Sequence, residues 1–332
     1  MRAVTVTRLD GPSALEVTDT VPRPTINADD EVLVRVHAAG VTFPEVLISR
    51  GEYQSRPELP FTLGAEFAGE VVEVGRASRL AVGDRVAGIG PTGAFAEYVV
   101  GVDERTLPMP NSVDFVHAAA MPMNLLTADF ALHERGRLQS GETVLVHGAA
   151  GGLGYASMQI ALAMGARVIA VVSSAAKAET VRAAGAHEVL FASDFLEGVI
   201  ELTGGRGVDV VVDPVGGDRF TDSLRALAKY GRVLVLGFAG RSIPTVKVNR
   251  LLLNNISVVG VGWGAATRGD KRMVINQWNR LFPSIEAGLL TPRIDRTLAL
   301  DRVQEALELI DSRAVQGKVV LTVDPQLVAS PA

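Results

Sequence analysis

Residues 143–154 read TVLVHGAAGGLG, a short apolar run that stops abruptly in a cluster of small residues. With a helical pattern over residues 155–164, the stretch predicts a strand, a glycine turn and a helix. Such a turn suits the pyrophosphate of a dinucleotide. Backbone N–H groups must come within hydrogen-bonding distance of phosphate oxygens, which a large side chain would block, and a helix N-terminus adds about half a positive charge. The candidate contacts are Ala150, Gly151, Gly152 and Leu153. On the G-x-G-x-x-G template the matching positions are Ala149, Gly151 and Gly154, so alanine replaces the first glycine. Taken alone, the turn fits an ordinary glycine-rich strand-to-helix connection equally well.

The next segment narrows the choice. RVIAVV at 167–172 is a second buried-type strand, so residues 143–172 make one strand–helix–strand unit of about thirty residues. An NAD site places Asp or Glu about twenty residues past the turn to bind the ribose hydroxyls. Here the residues are Ser173, Ser174 and, a turn later, Lys177, with no carboxylate before Glu179. Hydroxyls and a cation suit a 2′-phosphate, so the pattern predicts NADPH rather than NADH. The alternative for Lys177 is a solvated helix-surface lysine.

A length of 332 residues leaves room for two domains and a substantial core. The first third is strand-rich, at 3–7, 31–38, 67–74, 84–87 and 95–100, with Gly and Pro between, which predicts a β-rich domain. From about Leu125 the pattern changes: strands starting at Thr143, Arg167, Val208, Arg232 and Ile256 alternate with helical segments such as 175–184 and 220–228. That alternation predicts an α/β doubly wound parallel sheet. Helices over 271–287 and 301–310 and a strand over 318–323 follow, by which the chain is expected to return to the first domain; residues 327–332 are expected to fray. A net charge of −5 without a Lys/Arg run speaks against nucleic-acid or anionic-membrane partners. MRAVTVTRLDG lacks a signal-peptide core and no apolar run approaches eighteen residues, so a cytoplasmic protein is expected. With no cysteine, disulfides, thiolate chemistry and sulfur-based zinc sites are excluded.

Several further motifs occur in order: EVLVRVHAAGVTFPEVLISRGEY, LGAEFAGEVVEVG, GDRVAGIG, GAFAEYVV, the AAGGLG turn, GGRGVDVVVDPVGG, NISVVGVGWG and GKVVLTVD. Through them the chain resembles zinc-free members of the medium-chain dehydrogenase/reductase superfamily, in the NADPH:quinone oxidoreductase (zeta-crystallin-like) family. The resemblance spans essentially the whole length. It implies a GroES-like catalytic domain over 1–124 and 268–332, a Rossmann domain over 125–267 and NADPH in the cleft between them. It also implies a homodimer in which the edge strand 256–261 pairs with its copy.

In zinc-dependent relatives a cysteine near Thr42 and a histidine at Ala65 hold the catalytic metal, and a four-cysteine lobe separates GDRV from FAEY. Here only residues 87–94 join those motifs, Thr42, Phe43 and Ala65 offer no imidazole or thiolate, and the five histidines show no ligand spacing. No metal site is expected, which disfavours a Lewis-acid alcohol dehydrogenase. Hydride transfer without a metal suits an acceptor that is already electron-poor, such as a quinone, an enone or an enoyl thioester. By resemblance, Tyr53 sits where relatives carry a tyrosine that contacts the acceptor, as proton donor or orienting group; a rim or core tyrosine is the alternative. Thr127 matches a nicotinamide-ribose contact, and Gly237, Phe238 and Ala239 line the nicotinamide end. Thr42, Val261, Trp263 and Lys318 complete the expected cofactor contacts. Thr42 and Glu45 stand where many quinone reductases have Asn and Asp, so the polar contacts there differ. Phe191 and Ala192 lack the tyrosine hydroxyl that some members use near the 2′-phosphate. Asp213, before a proline at a strand end, reads as a turn residue.

Three functions fit these features. They are a quinone reductase, a reductase of enones or enoyl-CoA esters, and an NADPH-binding structural or RNA-interacting protein. Arg50, Arg56, Arg268 and Arg272 are the cations that a CoA phosphate would need, and the acidic balance counts against the RNA reading.

Overall fold

The computed structural model describes residues 1–270 and 272–323; the expected helix start at Lys271 and the closing residues 327–332 lie outside them. The chain forms two compact units, Asn124–Asp270 and residues 1–123 with 272–323. In the first, the alternation of apolar strands and helices yields a six-stranded sheet. Its order is Glu188–Phe191, Arg167–Val172, Thr143–His147, Val208–Asp213, Leu227–Val235 and Ser257–Gly260, all parallel. The chain starts in the middle, winds to one edge, then crosses back and winds to the other. The reversal falls between Thr143–His147 and Val208–Asp213, the point at which such sheets open a crevice at their carboxyl ends.

Helices Gly152–Ala163, Ala175–Ala183, Phe195–Leu202 and Phe220–Arg225 provide crossovers. Because they cover the faces, the middle strands are buried over nearly all of their length and read as runs of apolar residues flanked by Thr143, His147 and Arg167. Leu145, Ile169, Val211, Phe195 and Phe220 meet in the core. One expected helix is shorter than its pattern. It ends at Arg225, and Leu227 and Ala228 already belong to the next strand, where Leu227 pairs with Val208 across a bulge. Burial of those two side chains against the sheet outweighs their helix propensity.

The other unit is built mainly from antiparallel strands. One sheet runs Ile294–Ala299, Lys318–Thr322, Glu31–Val41, Glu66–Val74, Arg85–Ile89 and Thr106–Pro108, with Tyr98–Val102 also pairing Glu31–Val41. Three short strands, Leu15–Thr18, Ala3–Val6 and Phe61–Thr62, make a second sheet. The C-terminal strand does return to this unit, Val319 pairing with Val41 and Thr322 with Ala38. Strand Ile294–Ala299, absent from the sequence reading, lies parallel to it through helix Val303–Asp311. IDRTLA carries two charges and two exposed positions, so its edge role follows from pairing rather than hydrophobicity. Glu31–Val41 runs three residues beyond its expected end, and Gly40 explains how. A β-carbon there would lie 2.4 Å from both the Ala119 carbonyl and Glu66 Oε2, so the strand can continue through this crowded place only with glycine. Among the described residues no helix is long and apolar enough to cross a membrane.

Candidate functional site

In the parallel-sheet unit, strand Thr143–His147 ends in a turn that Gly148 enters at φ +58°, a conformation suited to glycine. The Ala149 N–H donates to Val171 O at 3.2 Å, the Gly151 N–H to Gly148 O at 2.9 Å, and the Tyr155 N–H to Gly151 O at 2.7 Å. Helix Gly152–Ala163 therefore begins directly over the strand end, with Gly151 as its N-cap. The first helical N–H groups, at Gly152, Leu153 and Gly154, have no acceptor within the helix. A β-carbon on Gly154 would lie 2.3 Å from Gly148 O and 2.7 Å from Gly148 C. The helix can approach the turn this closely only with hydrogen at that position. Gly151, Gly152 and Leu153 are half-buried, and Ala150 is buried. The cradle fits a pyrophosphate in both shape and charge.

Register brings the next candidates alongside. Val171 pairs with His147, so Ser173 and Ser174 emerge at the strand end beside the glycine turn. Both are exposed. Ser174 caps helix Ala175–Ala183, its hydroxyl accepting the Lys177 N–H at 3.4 Å. Gly237, Phe238 and Ala239 follow strand Leu227–Val235 at the same carboxyl edge. The Ala239 N–H donates to Pro214 O at 3.1 Å and the Gly240 N–H to Val215 O at 2.7 Å. Val261, whose N–H donates to Val235 O at 3.0 Å, is buried, as is Trp263 at the start of helix Trp263–Gly269. Thr127 is half-buried in helix Pro122–Asp129, which runs on as a π-helical stretch, Phe130–Arg135.

Two polar residues at the sheet's reversal point are fully buried. Asp213 Oδ1 accepts the N–H groups of Val215 and Gly216, each at 2.8 Å, which is the turn role read from the sequence. Its Oδ2 has no partner, and burial pushes the carboxyl above its usual range against those two bonds and Arg219. His147 Nε2 lies 2.9 Å from Ser223 Oγ.

In the antiparallel unit, Thr42 and Lys318 belong to one buried cluster. Thr42 caps helix Phe43–Ser49; its N–H donates to Glu45 Oε2 at 2.9 Å, and its hydroxyl to the same oxygen at a short distance. Glu45 Oε1 accepts the Ala65 N–H at 3.2 Å. Next in sequence, Glu66 takes the Met123 N–H on Oε1 and Lys318 Nζ on Oε2, both at 2.7 Å. Lys318 is 3% exposed and its ammonium engages Glu66. Tyr53 is half-buried in the loop after helix Phe43–Ser49 and packed on this unit's apolar core. Burial pushes Glu45 above the usual carboxylate range, opposed chiefly by the Thr42 hydrogen bond and then by Lys318.

Sequence reasoning singled out neither Glu66 nor its pairing with Lys318. A signal was present. Each opens a strand, EFAGEVVEV and KVVLT, at a buried position, and charges at buried strand positions are almost always paired. Among the described residues no group of three or more His, Asp or Glu is arranged to hold a metal ion.

The alcohol dehydrogenase GroES-like domain model matches residues 28–111, and the zinc-binding dehydrogenase model matches residues 152–280. Quinone oxidoreductase-like protein 2 of Mus musculus is 39% identical over 329 residues, 97% of this chain and 92% of the relative. A probable oxidoreductase from Mycobacterium abscessus is 41% identical with a TM-score of 0.88, covering 97% of this chain and 98% of that one. The Escherichia coli quinone oxidoreductase, solved in complex with NADPH, is 29% identical with a TM-score of 0.89, covering 97% and 100%.

Proposed function

The chain belongs to the quinone oxidoreductase family of medium-chain dehydrogenases/reductases, and from that membership we propose that it reduces a quinone or similarly electron-poor conjugated acceptor with NADPH, without zinc. The observation that carries the reading is the Gly148–Gly154 cradle, where a β-carbon would fill the space that brings the helix N-terminus over the strand end. When bound, NADPH supplies the hydride. Ala150, Gly151, Gly152 and Leu153 hold its pyrophosphate through backbone N–H groups. Ser173, Ser174 and Lys177 bind the 2′-phosphate, the hydroxyls as donors and the ammonium as counter-charge. Thr42, Thr127, Gly237, Phe238, Ala239, Val261, Trp263 and Lys318 flank the nicotinamide end, and Tyr53 orients the acceptor.

In this assignment, residues 1–124 and 268–332 are the catalytic domain and 125–267 the NADPH-binding domain. The absence of thiolate or imidazole at Thr42 and Ala65 supports chemistry without a metal. The working form is a cytoplasmic homodimer. Supporting the dimer, Ser257–Gly260 is an edge strand with exposed positions, and the neighbouring Leu252 and Leu253 are 77% and 73% exposed. A hydrophobic patch on an open sheet edge suits a second copy.

The test is oxidation of NADPH and NADH by purified protein across a panel of simple quinones, enones and short enoyl-CoA esters. Turnover of quinones with NADPH preferred is the expected result. Preference for enoyl-CoA would replace the acceptor, and preference for NADH would overturn the 2′-phosphate assignment. Tight NADPH binding without turnover of any acceptor would refute the enzymatic reading.

A further inference from the structure

Asp213 folds a turn on which the loop after strand Leu227–Val235 is hung. Its Oδ1 accepts the Val215 and Gly216 N–H groups, each at 2.8 Å. A peptide unit is planar, so a bond that fixes its N–H also fixes the direction of its carbonyl. The first bond therefore aims the Pro214 carbonyl, which takes the Ala239 N–H at 3.1 Å. The second aims the Val215 carbonyl, which takes the Gly240 N–H at 2.7 Å. The Leu236 N–H donates to Asp213 O at 2.9 Å and the Gly217 N–H to Ser242 O at 3.1 Å, closing the two ends of the same ladder. Within the loop the Arg241 N–H returns to Phe238 O at 2.7 Å, so residues 237–242 move as one piece.

Close approach confirms that turn and loop are packed against each other. A β-carbon on Gly216 would lie 3.0 Å from the Phe238 ring, and one on Gly240 would lie 2.7 Å from Val215 O. On its other side the turn meets the phosphate cradle, since a β-carbon on Gly148 would lie 3.2 Å from Val215 Cγ2. The cradle has bonds of its own, from Ala149 to Val171 O and from Gly151 to Gly148 O, so it does not depend on the turn. Strand order along the sheet gives these contacts a meaning. Arg167–Val172 leads to Ser173 and Ser174, Thr143–His147 to the cradle, and beyond it come Val208–Asp213 and Leu227–Val235. A dinucleotide lying across this reversal, with its pyrophosphate on the cradle and its 2′-phosphate at Ser173 and Ser174, extends its other half over the last two strand ends.

We propose, on the reading that the chain binds NADPH, that Asp213 is a positioning residue for the nicotinamide half of the cofactor: it folds the spacer that sets Gly237, Phe238 and Ala239 at their distance from the cradle. Asp213 has no exposed surface and acts only through the backbone of the turn. Oδ1 makes both bonds and Oδ2 has no partner, so an amide in place of the carboxyl keeps the acceptor that the role requires.

Two ligands separate this role from general support of the fold: NADPH, and 2′-phospho-ADP-ribose, which carries the same pyrophosphate and 2′-phosphate without the nicotinamide. In calorimetric titration, Asp213→Ala should bind NADPH roughly tenfold more weakly and 2′-phospho-ADP-ribose within about twofold of wild type. Asp213→Asn should bind both within about twofold of wild type. Gly240→Ala leaves Asp213 in place and forces the loop off the turn; it should reproduce the selective loss, and it carries the test if Asp213→Ala does not fold. Hydrogen exchange in the cofactor-free protein needs no ligand: the Ala239 and Gly240 amides should exchange at least about tenfold faster in Asp213→Ala and stay protected in Asp213→Asn. Equal losses for the two ligands, or NADPH affinity unchanged in Asp213→Ala and Gly240→Ala, would overturn the proposal. Failure of the wild-type protein to bind either ligand would instead sink the cofactor reading and the proposal with it, while the exchange rates report separately on whether Asp213 holds the loop.

Discussion

His147 makes the parallel-sheet unit acid-sensitive in a way that can be worked out in advance. Its ring has no exposed surface, meets the Phe195 ring edge-on at 4.8 Å, and lies 2.9 Å through Nε2 from Ser223 Oγ. Burial, with the nearby Arg219 charge, lowers its pKa from 6.5 to about 3. Between those values the unfolded chain binds a proton that the folded one refuses. Stability from this residue is therefore fully present above pH 6.5 and is lost as pH falls toward 3. Each pH unit is worth about 1.4 kcal/mol, giving about 2 kcal/mol at pH 5 and about 5 kcal/mol at pH 3. His147→Gln removes the titration while keeping a group able to hydrogen-bond Ser223. Urea unfolding of both proteins at pH 7 and pH 5 supplies the comparison, because other titrating groups shift both alike. The stability difference between wild type and variant should narrow by about 2 kcal/mol on going to pH 5. An unchanged difference would mean that His147 titrates normally and would refute the argument from burial.

Gly154→Ala places a β-carbon 2.3 Å from Gly148 O, so the helix must retreat by about 1 Å; NADPH affinity measured by fluorescence titration should weaken roughly tenfold or more, about 1.4 kcal/mol. Lys177→Ala should cost about 1.5–3 kcal/mol in NADPH binding and little in NADH binding by calorimetry, and equal losses for both would remove Lys177 from the 2′-phosphate site. Lys318→Met leaves Glu66 charged and unpaired in the interior, and thermal or urea unfolding should show a loss of about 3–5 kcal/mol. Adding Glu66→Gln, which keeps an acceptor for the Met123 N–H while removing the charge, should recover part of it.

Local rules were enough for the parallel sheet. RVIAVV and VDVVVD occupy the ranges read for them, because strands covered on both faces are apolar over most of their length, with the charged Arg167, Asp209 and Asp213 confined to the first two and last positions. Ser174 at a helix start and Gly154 in the turn were legible for the same reason: each answers a backbone requirement of its immediate neighbours. Tertiary pairing decided the rest. Leu227 and Ala228 carry a helical pattern yet join a strand, since burial against Val208 outweighs a propensity difference of under about 1 kcal/mol. Ile294–Ala299 becomes a strand only because Lys318–Thr322 presents an edge to it. The cluster at Thr42 shows the division most plainly. The sequence alone determined that Thr42 and Glu45 lie three residues apart, the spacing of a helix cap and its reciprocal acid. That Glu66 and Lys318, 252 residues apart, share one ion pair was settled by the fold. A buried charge demands a partner, and only the antiparallel return of the C-terminal strand along Glu31–Val41 brings that partner within reach.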